Sequence, residues 1–161
     1  MGLHRYGYME LFALAPGDLY AVFGPLDAVL APVIPYVLLV LLLVNMVFRG
    51  VEYGQHVDQA ATDGAEGMEQ HPGRVGTNFL LMVGSFYYLS VAPHGGMVFS
   101  VLFLGVFVTD LFEYESRKVE ARQNIPIERP NGAIAASLLS LVYIGYQTLF
   151  FAVAPVWNSI V

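Results

Sequence analysis

Polar and apolar positions along this chain separate over whole helix lengths rather than over alternating residues. Three long stretches carry no Asp, Glu, Lys or Arg: 21 residues between Asp27 and Arg49, 35 between Arg74 and Asp110, and 31 from Asn131 to Val161. A helix needs about 20 mostly apolar residues to cross a bilayer. The first stretch predicts one span, with Pro32 and Pro35 near its start, where a missing N–H costs nothing. The second is too long for one helix. It is broken at "VAPHGG", residues 91–96, whose proline and paired glycines read as a turn, so it predicts a helical hairpin. The third predicts a further helix ending near Pro155. Continuous apolar runs exclude the alternation of an outer-membrane barrel, and lipid then demands helices, which satisfy their own backbone hydrogen bonds. The expected fold is an all-α integral membrane protein with four transmembrane helices in a bundle, at about 29–52, 75–92, 96–115 and 132–153.

Residues 1–28 have a different texture. Glu10, Asp18 and Asp27 interrupt their apolar positions, and Pro16 and Pro25 break them further. They predict an extracytoplasmic segment with a short interfacial helix around residues 19–23. No basic run precedes an apolar stretch and a small-residue cleavage site, so a cleaved leader is not expected. "MGLHRY" places Tyr6 where a myristoylation signal carries Ser or Thr. Basic residues set the orientation. Arg49 and Arg74 bracket a loop at 53–74; Arg117, Lys118, Arg122 and Arg129 belong to a loop at 116–131; Arg5 stands alone on the other side. The excess of Lys and Arg puts both loops in the cytoplasm and both termini outside.

Composition strengthens the membrane reading. Hydrophobic residues make up 57% of the 161 and charged residues 12%, against about 45–50% and 25% in soluble domains. Such a chain cannot hide its apolar surface from water. Thirteen acidic residues against seven basic ones, a net charge of −6, argue against nucleic acid and against a polybasic lipid-binding patch. No cysteine is present, which excludes disulfides, thiolate metal sites and cysteine nucleophiles.

The candidate chemistry is polar groups inside apolar helices. Asn45, Arg49 and Glu52 follow spacings of four and three, which put them on one helix face. Asp110 and Glu113 on the third predicted span, and Arg74, Thr77 and Asn78 at the start of the second, lie at comparable depth. A polar layer at the cytoplasmic end is therefore expected, with Arg49 facing Asp110. It is either a clamp between helix ends or the lining of an ion path; shallow depth favours the clamp, although ionisable groups in spans are functional candidates by default. Mid-membrane polar positions are Tyr143, Tyr146 and Gln147, read mainly as helix–helix hydrogen bonding. Ala133, Ala136, Ser137 and Ser140 give small-xxx-small spacings that let backbones approach, with Gly76, Gly84 and Gly105 as receiving positions.

Of the four histidines, no two have metal-ligand spacing on a helix. His56 and His71 share the first loop with Asp58, Asp63, Glu66 and Glu69, where a loose cation site competes with the simpler expectation of a solvated acidic loop. Neither P-loop nor G-x-S-x-G, H-E-x-x-H or G-x-G-x-x-G occurs.

Acidic loops with a single lysine (Lys118), absent cysteine and four apolar stretches together resemble, in style, the small four-helix membrane proteins of haloarchaea. The resemblance rests on no motif and carries no catalytic residue. The expectation is a non-enzymatic subunit or scaffold in membrane lipid, without cofactor or metal, associating with itself or with another membrane protein. The alternative is a small oligomeric transporter or channel for an ion or small solute, gated at the polar layer.

Overall fold

A computed structural model describes residues 24–160. The predicted interfacial helix at 19–23 lies outside the described residues. Contacts divide the chain into a unit of residues 1–33 and a unit of residues 34–161. Of the first, helix α1 is described at 24–30; it closes with Ala31 N–H donating to the Asp27 carbonyl at 3.0 Å and Val33 N–H to that of Leu30 at 3.1 Å.

The second unit holds α2 (Ile34–Thr62), a short 3₁₀ helix (Gly64–Gly67), α3 (Pro72–Val91), α4 (Pro93–Arg122) and α5 (Asn131–Ile160). The expectation of a simple four-helix transmembrane bundle is overturned. The described residues form six helices, and three of them, α2, α4 and α5 over residues 131–150, are long and apolar enough to cross a membrane. Helix α3 is long enough but not apolar enough, because Arg74, Thr77, Asn78, Ser85 and Ser90 interrupt it along its whole length. Over its described residues the chain is a helical membrane protein with three helices of spanning character and a more polar fourth long helix packed against two of them.

Boundaries also move. Helix α2 begins at Ile34 and runs ten residues past Glu52, where its span was expected to end. At 1.5 Å per residue its 29 residues reach about 43 Å, well beyond a hydrocarbon core of about 30 Å. The turn between α3 and α4 shrinks to one residue, Ala92, and Gly95 and Gly96 are already helical. Their missing side chains let α3 and α4 meet: a Cβ on Gly96 would strike the Leu89 backbone, and one on Gly95 would come 3.1 Å from Tyr88 Cζ. Helix α4 ends in a Schellman motif, with Asn124 in the left-handed region at φ 54°, its N–H bonded to the Ala121 carbonyl and that of Ile125 to Glu120. Helix α5 continues through Pro155 to Ile160 rather than stopping at the proline.

The core of the second unit changes character along its length. The buried face of α2 reads Ile34, Leu38, Leu42 and then Asn45, Arg49, Glu52, His56. That of α4 reads Phe99, Phe103, Val106 and then Asp110, Arg117. Helix α3 runs the opposite way, from Arg74 and Thr77 to Leu81, Ser85 and Tyr88. Antiparallel register thus stacks apolar on apolar and polar on polar. Outward faces carry the large apolar side chains: Val142 is 72% exposed, Phe112 73% and Phe79 65%. Polar inside and greasy outside is the arrangement a lipid solvent favours.

At the polar end the two loops close over the helices. Ala65, Met68 and Ala121 form a small apolar cluster with Ala60 and Ile127. Tyr53 Oη–H donates to the Ile127 carbonyl at 3.2 Å, and Tyr114 Oη–H to that of Met68 at 2.9 Å. The first loop is therefore anchored by packed apolar residues while Asp58, Asp63, Glu66 and Glu69 stay exposed or near the surface.

The glycines separate by role. Substituting Gly96 by Ala should destabilise the fold by about 1–3 kcal/mol, as overpacking against backbone does. Gly105→Ala, where a Cβ meets open space, should be neutral or stabilising by up to about 1 kcal/mol. Denaturant titration of the two variants in detergent would check the contrast.

Candidate functional site

The polar half of the core is a chain of charges linking α2, α3 and α4. On α2, Arg49 is 2% exposed; its Nε–H donates to Asp110 Oδ1 and its Nη2–H to Asp110 Oδ2, each at 3.2 Å. This bidentate fork suits guanidinium geometry and resists replacement by lysine. Asp110 on α4 also meets Arg74 Nη2 of α3. Arg74 in turn donates from Nη1 to Glu52 Oε2 of α2 at 3.1 Å. The order Arg49–Asp110–Arg74–Glu52 alternates in sign and sums to zero. Glu52 Oε1 accepts from the His71 backbone N–H at 3.0 Å, which ties the entry of α3 to α2.

Neutral groups extend the layer. Arg49 Nη1–H donates to Ser137 Oγ on α5, so one arginine joins α2 to both α4 and α5. Asn45 Nδ2–H donates to Thr77 Oγ1 at 2.9 Å and to Asn78 Oδ1 at 2.7 Å on α3, while its Oδ1 faces Arg49 Nη2 at 3.4 Å.

Below this layer sits a second pair that spacing alone did not single out. His56 continues the face of Asn45, Arg49 and Glu52 by one further turn and is fully buried. Arg117 Nη1 lies 2.8 Å from His56 Nδ1. Arginine can only donate, so Nδ1 is the acceptor and the ring hydrogen sits on Nε2, which donates to the Glu69 carbonyl at 3.0 Å. His56 therefore belongs to the helix core, not to the loop, and the described residues hold no cluster fit for a metal. His71 is the N-cap of α3, its Nδ1 accepting from Gly73 N–H at 3.1 Å, with its ring stacked on Phe48.

Other positions move away from the roles expected of them. Glu113 turns from the layer to α5, where Oε1 accepts from the backbone N–H of Gly132 at 2.7 Å and of Ala133 at 3.1 Å. A carboxylate there complements the positive end of the α5 dipole. Gln147 is exposed and donates to Tyr143 Oη at 3.1 Å on its own helix, so this pair joins no two helices; Tyr146 is 57% exposed. Thr148, next to Gln147 in sequence, is buried and donates to the Ile144 carbonyl of its own helix. Ala133, Ser137 and Ser140 face inward and Ala136 is half-buried. The expected receiving glycines do not meet them: Gly76 and Gly105 border open space, and Gly84 packs on Leu38 of α2, whose Cδ2 would lie 2.9 Å from an added Cβ.

Energetically the layer is unlike an isolated interhelical hydrogen bond in a membrane, which averages about 0.6 kcal/mol. Removing Asp110 leaves the buried Arg49 guanidinium without a counter-charge and Arg74 with Glu52 alone, a loss of about 3–5 kcal/mol. Asp110→Ala and Arg49→Ala should each destabilise the protein by that order. Their double variant should fall well short of additivity, read by unfolding in detergent. Glu113→Ala should cost about 1 kcal/mol, the value of a helix cap, and should fray the α5 N-terminus in hydrogen exchange.

No curated protein and no solved structure matches the chain. A family model does match, over residues 18–161, so every residue of the charged layer falls within it. The chain belongs to the family described as a domain of unknown function, DUF7313.

Proposed function

We propose that this protein is a non-enzymatic structural subunit or scaffold of a membrane complex, associating through its outward apolar faces with a second copy of itself or with another membrane protein. The observation that carries this reading is the engagement of the layer's charges with one another. Asp110 holds two arginines, Glu52 holds Arg74 and a backbone N–H, and Arg49 reaches α4 and α5 at once. Groups committed in this way fix helix positions and are poorly placed to exchange ions. The long outward rows, with Leu139 63%, Val142 72% and Tyr146 57% exposed on α5, supply surface for lipid and for packing against a neighbour.

Six of the seven basic residues belong to the end that carries the loops at 63–71 and 123–130, so that end faces the cytoplasm in this proposal.

The cysteine-free sequence makes the test direct. In proteoliposomes the protein should pass no ion or small solute. A single cysteine at Val142 should form a disulfide-linked dimer in native membranes, or cross-link to a partner subunit. A cysteine at Asp63 should be shielded from impermeant label in intact cells. Solute flux that disappears in Asp110→Asn while the fold survives would replace the scaffold with a channel.

A further inference from the structure

Among the described residues three arginines are buried, Arg49, Arg74 and Arg117. The first two hold carboxylates. Arg117 forms no ion pair with any described residue. Its Nε–H donates to the Glu113 carbonyl at 3.1 Å, one turn back on α4, and its Nη1–H to His56 Nδ1 on α2 at 2.8 Å. A buried cation without a counter-charge is costly, and the acceptor that holds this one is a ring whose charge changes near neutral pH.

His56 has no place for a second ring proton. Nδ1 accepts from Arg117, and Nε2 donates to the Glu69 carbonyl of the first loop. A proton on Nδ1 would set two N–H groups and two positive charges against each other across 2.8 Å. The charged groups around the ring are Arg117 of α4, Glu52 of α2 and Arg74 of α3, and Glu52 is already bonded to Arg74. Tyr114 of α4 lies against the ring, with 5.4 Å between centroids. Counted from Ile34, His56 stands about 33 Å along α2, past a hydrocarbon core of about 30 Å, at the end the loops close. Burial first, and then the Arg117 charge, hold the imidazole below its ordinary value of 6.5. The Arg117-bonded arrangement is therefore fully stable above that value and loses stability as pH falls below it.

Arg117 has an alternative position. A polar cleft of about 230 Å³ at the junction of α4 and α5 is lined by Arg117 with Glu113, Ser116, Glu120 and Glu128. Glu113 and Glu120 stand four residues before and three after Arg117, on its side of α4. Glu113 Oε2 is buried and has no donor among the described residues. A guanidinium released from His56 meets these carboxylates by turning about its own side-chain bonds.

We propose that Arg117 is the moving part of a proton-operated switch. With His56 neutral, Arg117 joins α4 to α2 through Nδ1. With a proton from water on Nδ1, the guanidinium turns along α4 to Glu113 and Glu120, and the α2–α4 joint beneath the loops opens. The switch rests on the His56–Arg117 contact and the adjoining cleft, and not on the scaffold reading.

The test uses the full-length protein in nanodiscs from about pH 8 to about pH 5, across the range in which histidine titrates. Nitrogen NMR signals of the His56 ring report its tautomer and charge. A pH-insensitive fluorophore on Ser116→Cys, in the cleft, reports the arrival of Arg117. The ring should carry its hydrogen on Nε2 at the alkaline end and gain a second below the ordinary histidine range, with a fluorescence step at the same midpoint. His56→Gln should abolish the step. Arg117→Gln should also abolish it and should move the His56 titration upward; it carries the test if His56→Gln does not fold. Glu113→Gln combined with Glu120→Gln should suppress the step while His56 still titrates. A ring protonated on Nδ1 at the alkaline end, a ring neutral throughout, a titration unmoved by Arg117→Gln, or a step that survives in His56→Gln would overturn the switch.

Discussion

Two arginines and two carboxylates, alternating in sign across three helices, are the constraint on which the rest of this structure depends. In water such pairs are worth little, because solvent screens them and serves each partner nearly as well. Between apolar helices no such alternative exists, and each charge holds its place only while its neighbours do. Arg49, Asp110, Arg74 and Glu52 therefore fix rotation and register together: turning α2 by one residue about its axis would direct Arg49 away from Asp110 and leave both buried without a partner. The apolar half of the core, Leu38, Leu42, Leu81, Phe99 and Phe103, tolerates repacking far better, since hydrophobic contacts are not directional.

The division of the core into an apolar half and a polar half has a second effect. Because α2 and α4 outrun the hydrocarbon thickness, their polar ends sit beneath the loops, where Met68, Ala65 and Ala121 close over them. His56 and Arg117 occupy this region, each fully engaged with the other or with a backbone carbonyl. The loops thus cover the polar core from the side that faces water, and the outward apolar faces cover it from the side that faces lipid.

Sequence spacing reaches part of this. Asn45, Arg49 and Glu52 share a face because four and three are helical intervals, and the depth of Asp110 follows from counting residues. The same intervals run on to His56, but a histidine so close to acidic residues reads as loop until the true end of α2 is known. Arg74 was legible at the depth of the layer and not as the partner of Asp110 and Glu52, since residue counting gives depth along a helix and not the direction a long side chain takes around it. Small-residue spacing marks Ser137 and Ser140 as able to approach another helix without naming which; Gly76 and Gly105, equally small, border open space. The charge gap from 75 to 109 conceals the polarity of α3, whose interruptions after Arg74 are uncharged. Acidic composition and a single lysine speak to solvent conditions and not to topology, so the haloarchaeal resemblance finds no support in the fold.

Glu113 bears on the order in which the chain is built. Its carboxylate lies 19 residues before the Gly132 amide it accepts from, on a helix the ribosome delivers first. The opening turn of α5 has no acidic residue of its own and borrows one already in position on α4. Nascent α5 thus meets a waiting anion as it emerges, and the last two helices should consolidate as one cooperative block during synthesis rather than as separately stable rods.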